Sequence, residues 1–300
     1  KQHPRIKILY QEPETNVSDE AALYIVPSGF FTGRYGTHAS LPVLPLQQIE
    51  GVPLLFGSPT VERRSARLVV YADIIASTYF LVTRYEEIAR GNVRDGHGRF
   101  PGRESLPYRA GFIDRPIVEE YATLLRKWLR EIGVDVAQPA RQFSVLCTHD
   151  IDNLRMCMSP YQLLRITASV LLKRRPVWYA AHCSASLFGL TKDLYDTFEE
   201  MTSLDRSLCA LSTYPSAMPV YFMMACAKGK FDKGYNLNSS LARDTIEMIH
   251  ESGATLGLHT SYEAGRRPEL IAEEKAALEK VCGFALHRNR HHYLAWRDVE

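Results

Sequence analysis

Three groups of side chains that could take part in chemistry follow short apolar runs in the second half of the chain. In order along the sequence they are His149, Asp150 and Asp152, then His259, Tyr262 and Glu263, then Arg290, His291 and His292. Zinc and similar ions bind imidazole nitrogen and carboxylate oxygen, and a catalytic ion keeps about three protein ligands and an open position for water. Asp152, His259 and a histidine of the third group would form such a set. The residue types therefore predict a metal site.

Each group taken alone has an ordinary structural explanation. Two aspartates one residue apart are more often a surface turn than a site, and a single histidine after a strand is usually a hydrogen-bonded strand end. The RHH triplet is usually a basic patch on the surface. A site becomes the better explanation because all three groups follow predicted strands of one repeating pattern, whose carboxyl ends meet at one face.

The elements that must position these groups alternate between short strands and helices. Strands are predicted at residues 143–147, 220–226 and 255–258, and helices at about residues 161–173, 194–203 and 268–281. A further helix begins at Ser239 or Ser240 and ends at Gly253. This alternation is typical of parallel βα units. The predicted fold class is therefore α/β, with a (β/α) domain over residues 143–300.

The first half of the chain has a different pattern. Its strand-like pieces IKILY, ALYIV and RLVVYA are separated by turns that contain proline and glycine. A largely buried helix is predicted at residues 73–90, and an amphipathic helix after Pro116 ends at Gly133. In the turn DGHGRF, Asp95 and His97 could contact a ligand, although the neighbouring glycines favour a tight turn. The pattern predicts a mixed α+β domain over residues 1–135, followed by a linker.

Composition excludes several classes of protein. The 36 lysines and arginines nearly balance 34 acidic residues, so no global charge indicates a nucleic-acid partner, and the basic run 173–175 is interpreted as a solvated helix end. No apolar run reaches the length of a membrane span. Six cysteines without a CxxC pair favour a reducing compartment, and we expect a cytoplasmic, bacterial protein. The chain begins at Lys1 rather than methionine, so the sequence does not exclude a leader peptide that has been removed.

The three groups also resemble the motifs of a known family. THDID resembles the first motif of metal-dependent polysaccharide deacetylases, carbohydrate esterase family four, and GLHTSYEAG and RNRHHY look like its second and third motifs. The segments DIIASTYFLVTRYEE, DGHGRF and GFIDRPIVEEY are similar to the accessory domain that precedes the barrel in a subgroup of bacterial deacetylase-like proteins. The resemblance implies an accessory domain followed by a (β/α) barrel.

The resemblance implies a role for each matching residue. Asp150 would be the general base, Asp152 and His259 would bind a divalent metal, most simply zinc, and Arg290 would hold Asp150 ionised and aimed. The substrate would be an N-acetylated carbohydrate, and the products would be acetate and a free amine on the sugar. Protein partners are not implied.

Two positions depart from the family pattern. The second motif usually has another histidine four residues after the first, where this chain has Glu263; either Glu263 or His292 would be the third ligand, with His292 preferred and His291 its near competitor. His149 and Tyr262 are further candidates for the site. The chain ends at Glu300, before the family's acetate pocket and its histidine general acid, so the resemblance predicts an incomplete barrel.

Two other functions are compatible with the sequence. The chain could be an inactive relative that binds a carbohydrate or a protein on the same scaffold. It could also be a metal-dependent hydrolase of small amides. Metal binding would distinguish the inactive relative from an enzyme. Substrate profiling would distinguish the amide hydrolase from a sugar deacetylase.

Overall fold

The computed structural model describes residues 7–13, 22–64, 67–137, 140, 143–211, 218–225, 231–232 and 234–294. Contacts within the chain separate it into two compact units, residues 1–139 and 140–300. Both units combine helices and sheets, so the chain is mixed α/β as predicted. In the part of the chain that the structure describes, no helix is long and apolar enough to cross a membrane.

The first unit is built on a mostly parallel sheet. Its strands are β1 (Lys7–Tyr10), β2 (Ala22–Ile25), β3 (Gln47–Ile49), β4 (Val52–Leu54), β5 (Gly57–Arg64) and β6 (Arg67–Ala72). The sheet order is β1-β2-β6-β5; β1, β2 and β6 are parallel, and β5 runs antiparallel to β6. β3 and β4 form a separate antiparallel pair. Every residue of β2 is buried, as expected for a strand covered on both faces.

Four helices accompany this sheet among the described residues: α1 (Ile74–Val82), α2 (Tyr85–Ala89), α3 (Leu106–Arg109) and α4 (Ile117–Glu131). The prediction of one continuous helix over residues 73–90 was wrong, because Arg84 takes a left-handed conformation, with φ of 55°, between α1 and α2. In α4, Tyr121, Leu124 and Trp128 are buried in the core, which is the predicted amphipathic stripe. Gly133, with φ of 85°, follows this helix.

The second unit contains a four-stranded parallel sheet. Its strands are β7 (Thr148–Ile151), β8 (Val220–Met224), β9 (Thr255–Thr260) and β10 (Asn289–His291), and its helices are α5 (Pro160–Leu171), α6 (Val177–Leu187), α7 (Phe198–Cys209), α8 (Ser240–Glu251) and α9 (Glu269–Cys282). The sheet order is β7-β8-β9-β10, so each strand after β7 pairs with the one before it in the chain. This is the winding of part of a (β/α) barrel wall, and the described strands do not close into a barrel.

The core of this unit lies between the sheet and its helices. Tyr221 and Met223 of β8 are fully buried and belong to one apolar cluster with Leu256 and Leu258 of β9. Helix α8 contributes Ala242, Ile246 and Ile249 to the same cluster, and Ser239 caps the helix by accepting a hydrogen bond from the N–H of Ala242.

Two predicted elements of this unit were misplaced. Residues 143–147 are not a strand. β7 begins at Thr148, and before it, among the described residues, only the main-chain oxygen of Cys147 joins the ladder, by accepting a hydrogen bond from the N–H of Val220. The helix predicted at residues 194–203 is α7, which begins at Phe198. The last residue of the strand predicted at residues 220–226 lies outside the described residues.

Candidate metal centre

Three parallel strands bring the predicted site residues to one edge of the sheet. Along β7 the side chains alternate between faces, so Thr148, Asp150 and Asp152 share one face and His149 the other. In β9, His259 lies opposite Arg290 of β10. Because parallel strands end at the same edge, residues that are more than 100 positions apart in sequence become neighbours.

Asp152, His259 and His292 form a group that could hold a metal ion. One ligand atom from each lies within 4.8 Å of the other two. The Nε2 atom of His259 is 3.4 Å from Asp152 Oδ1, and the Nε2 atom of His292 is 3.7 Å from Asp152 Oδ2. The two imidazole rings are 5.1 Å apart at an angle of 70°. One carboxylate and two imidazoles converging in this way are the donors that zinc and related ions prefer.

Hydrogen bonds hold both imidazoles in the orientation that a metal requires. The Nδ1 atom of His259 lies 2.9 Å from the main-chain oxygen of Arg290, and Nδ1 of His292 lies 2.9 Å from Asp232 Oδ1. A carbonyl and a carboxylate can only accept, so each Nδ1 carries a proton, and Nε2 is the ring nitrogen left to bind a metal. Such outer partners are typical of histidine ligands.

One oxygen of Asp152 lies near His259 but accepts no hydrogen bond from the described residues. The side chain is about half exposed, but its Oδ1 atom is buried and makes no hydrogen bond to any residue that the structure describes. A buried oxygen of this kind is uncommon and calls for a ligand. The chemistry of the three donors and this oxygen together fit a divalent cation.

The charges of the group support one another. The proximity of His259 holds the pKa of Asp152 below its ordinary value, partial burial opposes this, and the charge of His292 reinforces it. Burial by itself would lower the pKa of His259, but Asp152, the Arg290 carbonyl and Asp150 outweigh burial and raise it. The pocket around Nε2 of His259 therefore favours positive charge, whether a proton or a metal ion supplies it.

Asp150 lies beside this group and is held by Arg290. Arg290 donates one hydrogen bond of 2.9 Å to Asp150 Oδ1 and another of 2.9 Å to the hydroxyl of Thr148. Its guanidinium carbon lies 4.4 Å from the centre of the Phe222 ring, which supports it from below. The second oxygen of Asp150 is 3.9 Å from His259 Nε2. Asp150 is therefore aimed at the space beside the three ligand atoms.

The remaining candidates lie elsewhere or play other parts. His149 faces away from the group and interacts with Asp205 at 2.8 Å, beside the ring of Tyr221. His291 pairs with Thr260 in the sheet, and Glu263 begins a 3-10 turn. Of the described residues, the group that could hold a metal takes in His292 and neither of these two.

Tyr262 contributes through its main chain. Its N–H donates a 2.7 Å hydrogen bond to the same oxygen of Asp232 that accepts from His292, and its ring packs against Phe231. In the first unit, Asp95 accepts hydrogen bonds from the N–H groups of His97 and Arg99, so the DGHGRF segment forms a tight turn.

Sequence reasoning missed Asp232. Its side chain is almost fully buried, and it orients His292 from a segment between β8 and α8. No spacing in the sequence distinguishes this aspartate from an ordinary loop residue. Phe222 was assigned only to a strand, although its ring supports Arg290.

Comparison with known protein families gives a match in the first unit only. Residues 1–133 match a protein family described as a family of unknown function (DUF7033). No curated protein and no solved structure matches the chain. The candidate metal centre, at residues 150–292, lies beyond the matched segment.

Proposed function

We propose that the second unit is a metal-dependent hydrolase that removes N-acetyl groups from a carbohydrate. The observation that carries this proposal is the convergence of Asp152, His259 and His292 beside an aspartate held by an arginine. The resemblance of THDID, GLHTSYEAG and RNRHHY to deacetylase motifs supports the choice of reaction.

The proposed chemistry divides between the bound ion and the protein. A divalent ion in this group would polarise the acetyl carbonyl and make a water molecule more acidic. Asp150 takes the proton of the attacking water, because its second oxygen faces the ligand atoms and makes no hydrogen bond to another described residue. His259 and His292 keep their Nε2 lone pairs available through the hydrogen bonds at Nδ1.

Arg290 has the task of positioning the base. Its two hydrogen bonds, to Asp150 and Thr148, fix the carboxylate in one orientation, and the Phe222 ring restricts the guanidinium. A lysine could supply the charge but not this forked geometry.

Metal binding tests the first half of the proposal. Zinc titrated by calorimetry into metal-free protein should bind at about one ion per chain, and His259→Ala should abolish this binding. His250→Ala is the matched control, since His250 lies on α8 and stacks on Phe284 outside the group. If zinc binds equally well to the wild type and to His259→Ala, the proposed site is wrong.

Acetate release tests the second half. With oligosaccharides of N-acetylglucosamine as substrate, we expect Asp150→Asn to bind zinc normally and to lose acetate release by about 10²-fold to 10⁴-fold, as loss of a general base predicts. Normal zinc binding by the wild type without acetate release from either these neutral oligosaccharides or an anionic N-acetylated sugar would instead reject the deacetylase reaction and keep the metal site.

A further inference from the structure

A pocket of about 280 Å³ lies in the second unit. It is lined by residues of the loop that follows β7, of α5 and α6 and of the segment that joins them, together with Tyr195. Asn153 of this lining directly follows the proposed ligand Asp152 in the sequence. The pocket and the candidate metal centre therefore share the segment at the end of β7.

The pocket is strongly basic. Arg155, Arg165 and Arg175 all line it, and its lining contains no aspartate or glutamate. None of these arginines forms an ion pair with a carboxylate among the described residues. Arg155 is half-buried, while Arg165 and Arg175 are exposed. An anion placed between them would accept charge-assisted hydrogen bonds from the three guanidinium groups.

The hydrogen bonding of the nearest groups agrees with this. The Nε atom of Arg155 is buried and has no hydrogen-bond partner in the part of the chain that the structure describes. Asp193, a buried carboxylate near the pocket, is occupied by the N–H groups of Met156 and Tyr195 and by the hydroxyl of Ser186. The oxygens of Asp193 are thus already hydrogen-bonded, and Arg155 forms no ion pair with Asp193 in the part of the chain that the structure describes.

The rest of the lining suits a sugar. Tyr179 and Tyr195 offer aromatic faces, and the guanidinium of Arg175 lies 4.3 Å above the ring of Tyr179, which holds it in place. Asn153 and Gln162 add amide groups that can bond to hydroxyls. The basic run at residues 173–175, interpreted from sequence as a solvated helix end, therefore supplies Arg175 to a pocket wall.

We propose that this pocket binds an oxyanion, phosphate or carboxylate, carried by the sugar whose N-acetyl group reaches the metal centre. The substrate is then an anionic N-acetylated sugar rather than a neutral one. The acetyl part of this inference rests on the proposed function; the anion site does not.

Calorimetry on metal-free, dialysed protein in a phosphate-free buffer tests the pocket without the reaction. N-acetylglucosamine 1-phosphate should bind at least about tenfold more tightly than N-acetylglucosamine, and added NaCl should reduce this difference. N-acetylmuramic acid serves as the carboxylate probe, so the tighter of the two anionic ligands identifies the oxyanion. Equal binding of the neutral sugar and both anionic sugars would overturn the proposal.

Two variants test the residues. Arg165→Gln and Arg155→Gln should each lower the affinity for the preferred anionic sugar about tenfold or more, with binding of the neutral sugar unchanged. Arg243→Gln on α8 makes the same change of charge at an exposed position outside the pocket, and it should have no effect. Equal losses in all three variants would show a general charge effect and overturn the site.

The two proposals fail in different ways. Tight binding of the anionic sugar by a chain that never binds zinc would keep the pocket and reject the metal reaction. Zinc-dependent acetate release from neutral and anionic substrates at the same rate, with no anion binding by calorimetry, would reject the pocket and keep the reaction.

Discussion

Each unit has an aspartate that directly follows a parallel strand, and the two are treated in opposite ways. In the first unit, Asp73 follows β6 and is fully buried, and its oxygens accept four hydrogen bonds. The donors are the hydroxyl of Tyr10, the N–H and hydroxyl of Ser28, and the N–H of Ala76. In the second unit, Asp152 follows β7, and its buried Oδ1 has no such partner among the described residues.

The difference separates a structural carboxylate from a functional one. Asp73 caps α1 and ties three segments of its unit together, so its bonding capacity is used up inside the protein. Asp152 faces two imidazoles whose free nitrogens point the same way, so its capacity is kept for a ligand. Both residues lie where α/β folds usually place their sites, and their burial and their hydrogen bonds distinguish them.

The largest expected effect is on metal binding. Asp152→Ala removes one of three ligands, and we expect zinc affinity to fall by more than about 100-fold. Loss of a residue that only hydrogen-bonds a metal ligand typically lowers affinity less, by about 10-fold to 100-fold. The unfolding free energy of the metal-free protein should change by less than about 1 kcal/mol, since half of this side chain is exposed. Zinc calorimetry and urea unfolding measure the two quantities, with Asp244→Ala on α8 as a control. A large loss of metal-free stability would make Asp152 structural and remove the contrast.

Asp73→Ala should give the reverse result. The change removes a helix cap and leaves the Tyr10 and Ser28 donors without their acceptor, at a cost of about 3 kcal/mol in the stability of the first unit. Zinc affinity should stay the same. Amide hydrogen exchange in β6 and α1 reports the loss locally, and Asp114→Ala, an exposed aspartate of the same unit, should change it little. Unchanged exchange in Asp73→Ala would contradict the structural role.

The comparison of the two aspartates could not be made from sequence. Residue types and strand ends predicted that the three groups around Asp152, His259 and the RNRHHY segment meet, because parallel strands carry their sites at one edge. The choice of Asp150, Arg290 and His292 came from the resemblance to deacetylase motifs. Whether a carboxylate is already occupied depends on partners such as Tyr10 and Ser28, which lie 63 and 45 residues from Asp73. Asp232 escaped prediction for the same reason.

The fold shows a similar limit. The apolar strands β2, β6 and β8 and the amphipathic helix α4 were predicted because their burial follows their pattern. Strand β5 was missed, since GSPTVERR contains a proline and charged residues and lies at the edge of its sheet. The break at Arg84 was missed because a left-handed residue that is not glycine has no clear signal in the sequence.

Asp232 is intermediate between Asp73 and Asp152, because only one of its two oxygens accepts hydrogen bonds from the described residues. Its Oδ1 accepts from His292 and Tyr262, while its Oδ2 is buried without a hydrogen-bond partner among the described residues. We expect Asp232→Ala to lower zinc affinity by about 10-fold to 100-fold, because His292 loses the partner that fixes its tautomer. Asp232→Asn keeps an oxygen acceptor and should restore much of the affinity. Equal affinities for the Ala and Asn variants, both at the wild-type value, would make Asp232 a core residue only.

The smallest effect concerns two glycines, Gly57 beside Asp73 in the first unit and Gly257 beside the Phe222 ring in the second. A Cβ on Gly57 would lie 2.1 Å from the main-chain oxygen of Tyr71, so backbone blocks it; a Cβ on Gly257 would lie 2.7 Å from the Phe222 ring. The Phe222 ring, which would have to move, lies against the guanidinium of Arg290. A shift of Arg290 would change the orientation of Asp150, to which it donates a hydrogen bond.

Gly257→Ala should therefore cost about 1 to 2 kcal/mol of stability from overpacking and slow acetate release several-fold, with zinc affinity unchanged. The control is Gly102→Ala, where a Cβ would meet nothing within 4 Å and φ is not positive. Acetate release and zinc calorimetry on the same preparations separate the two effects. Among the described contacts, Phe222 touches none of the metal ligands. If Gly257→Ala lowered zinc affinity as much as the rate of acetate release, the ring would support the whole edge of the sheet and not Arg290 in particular.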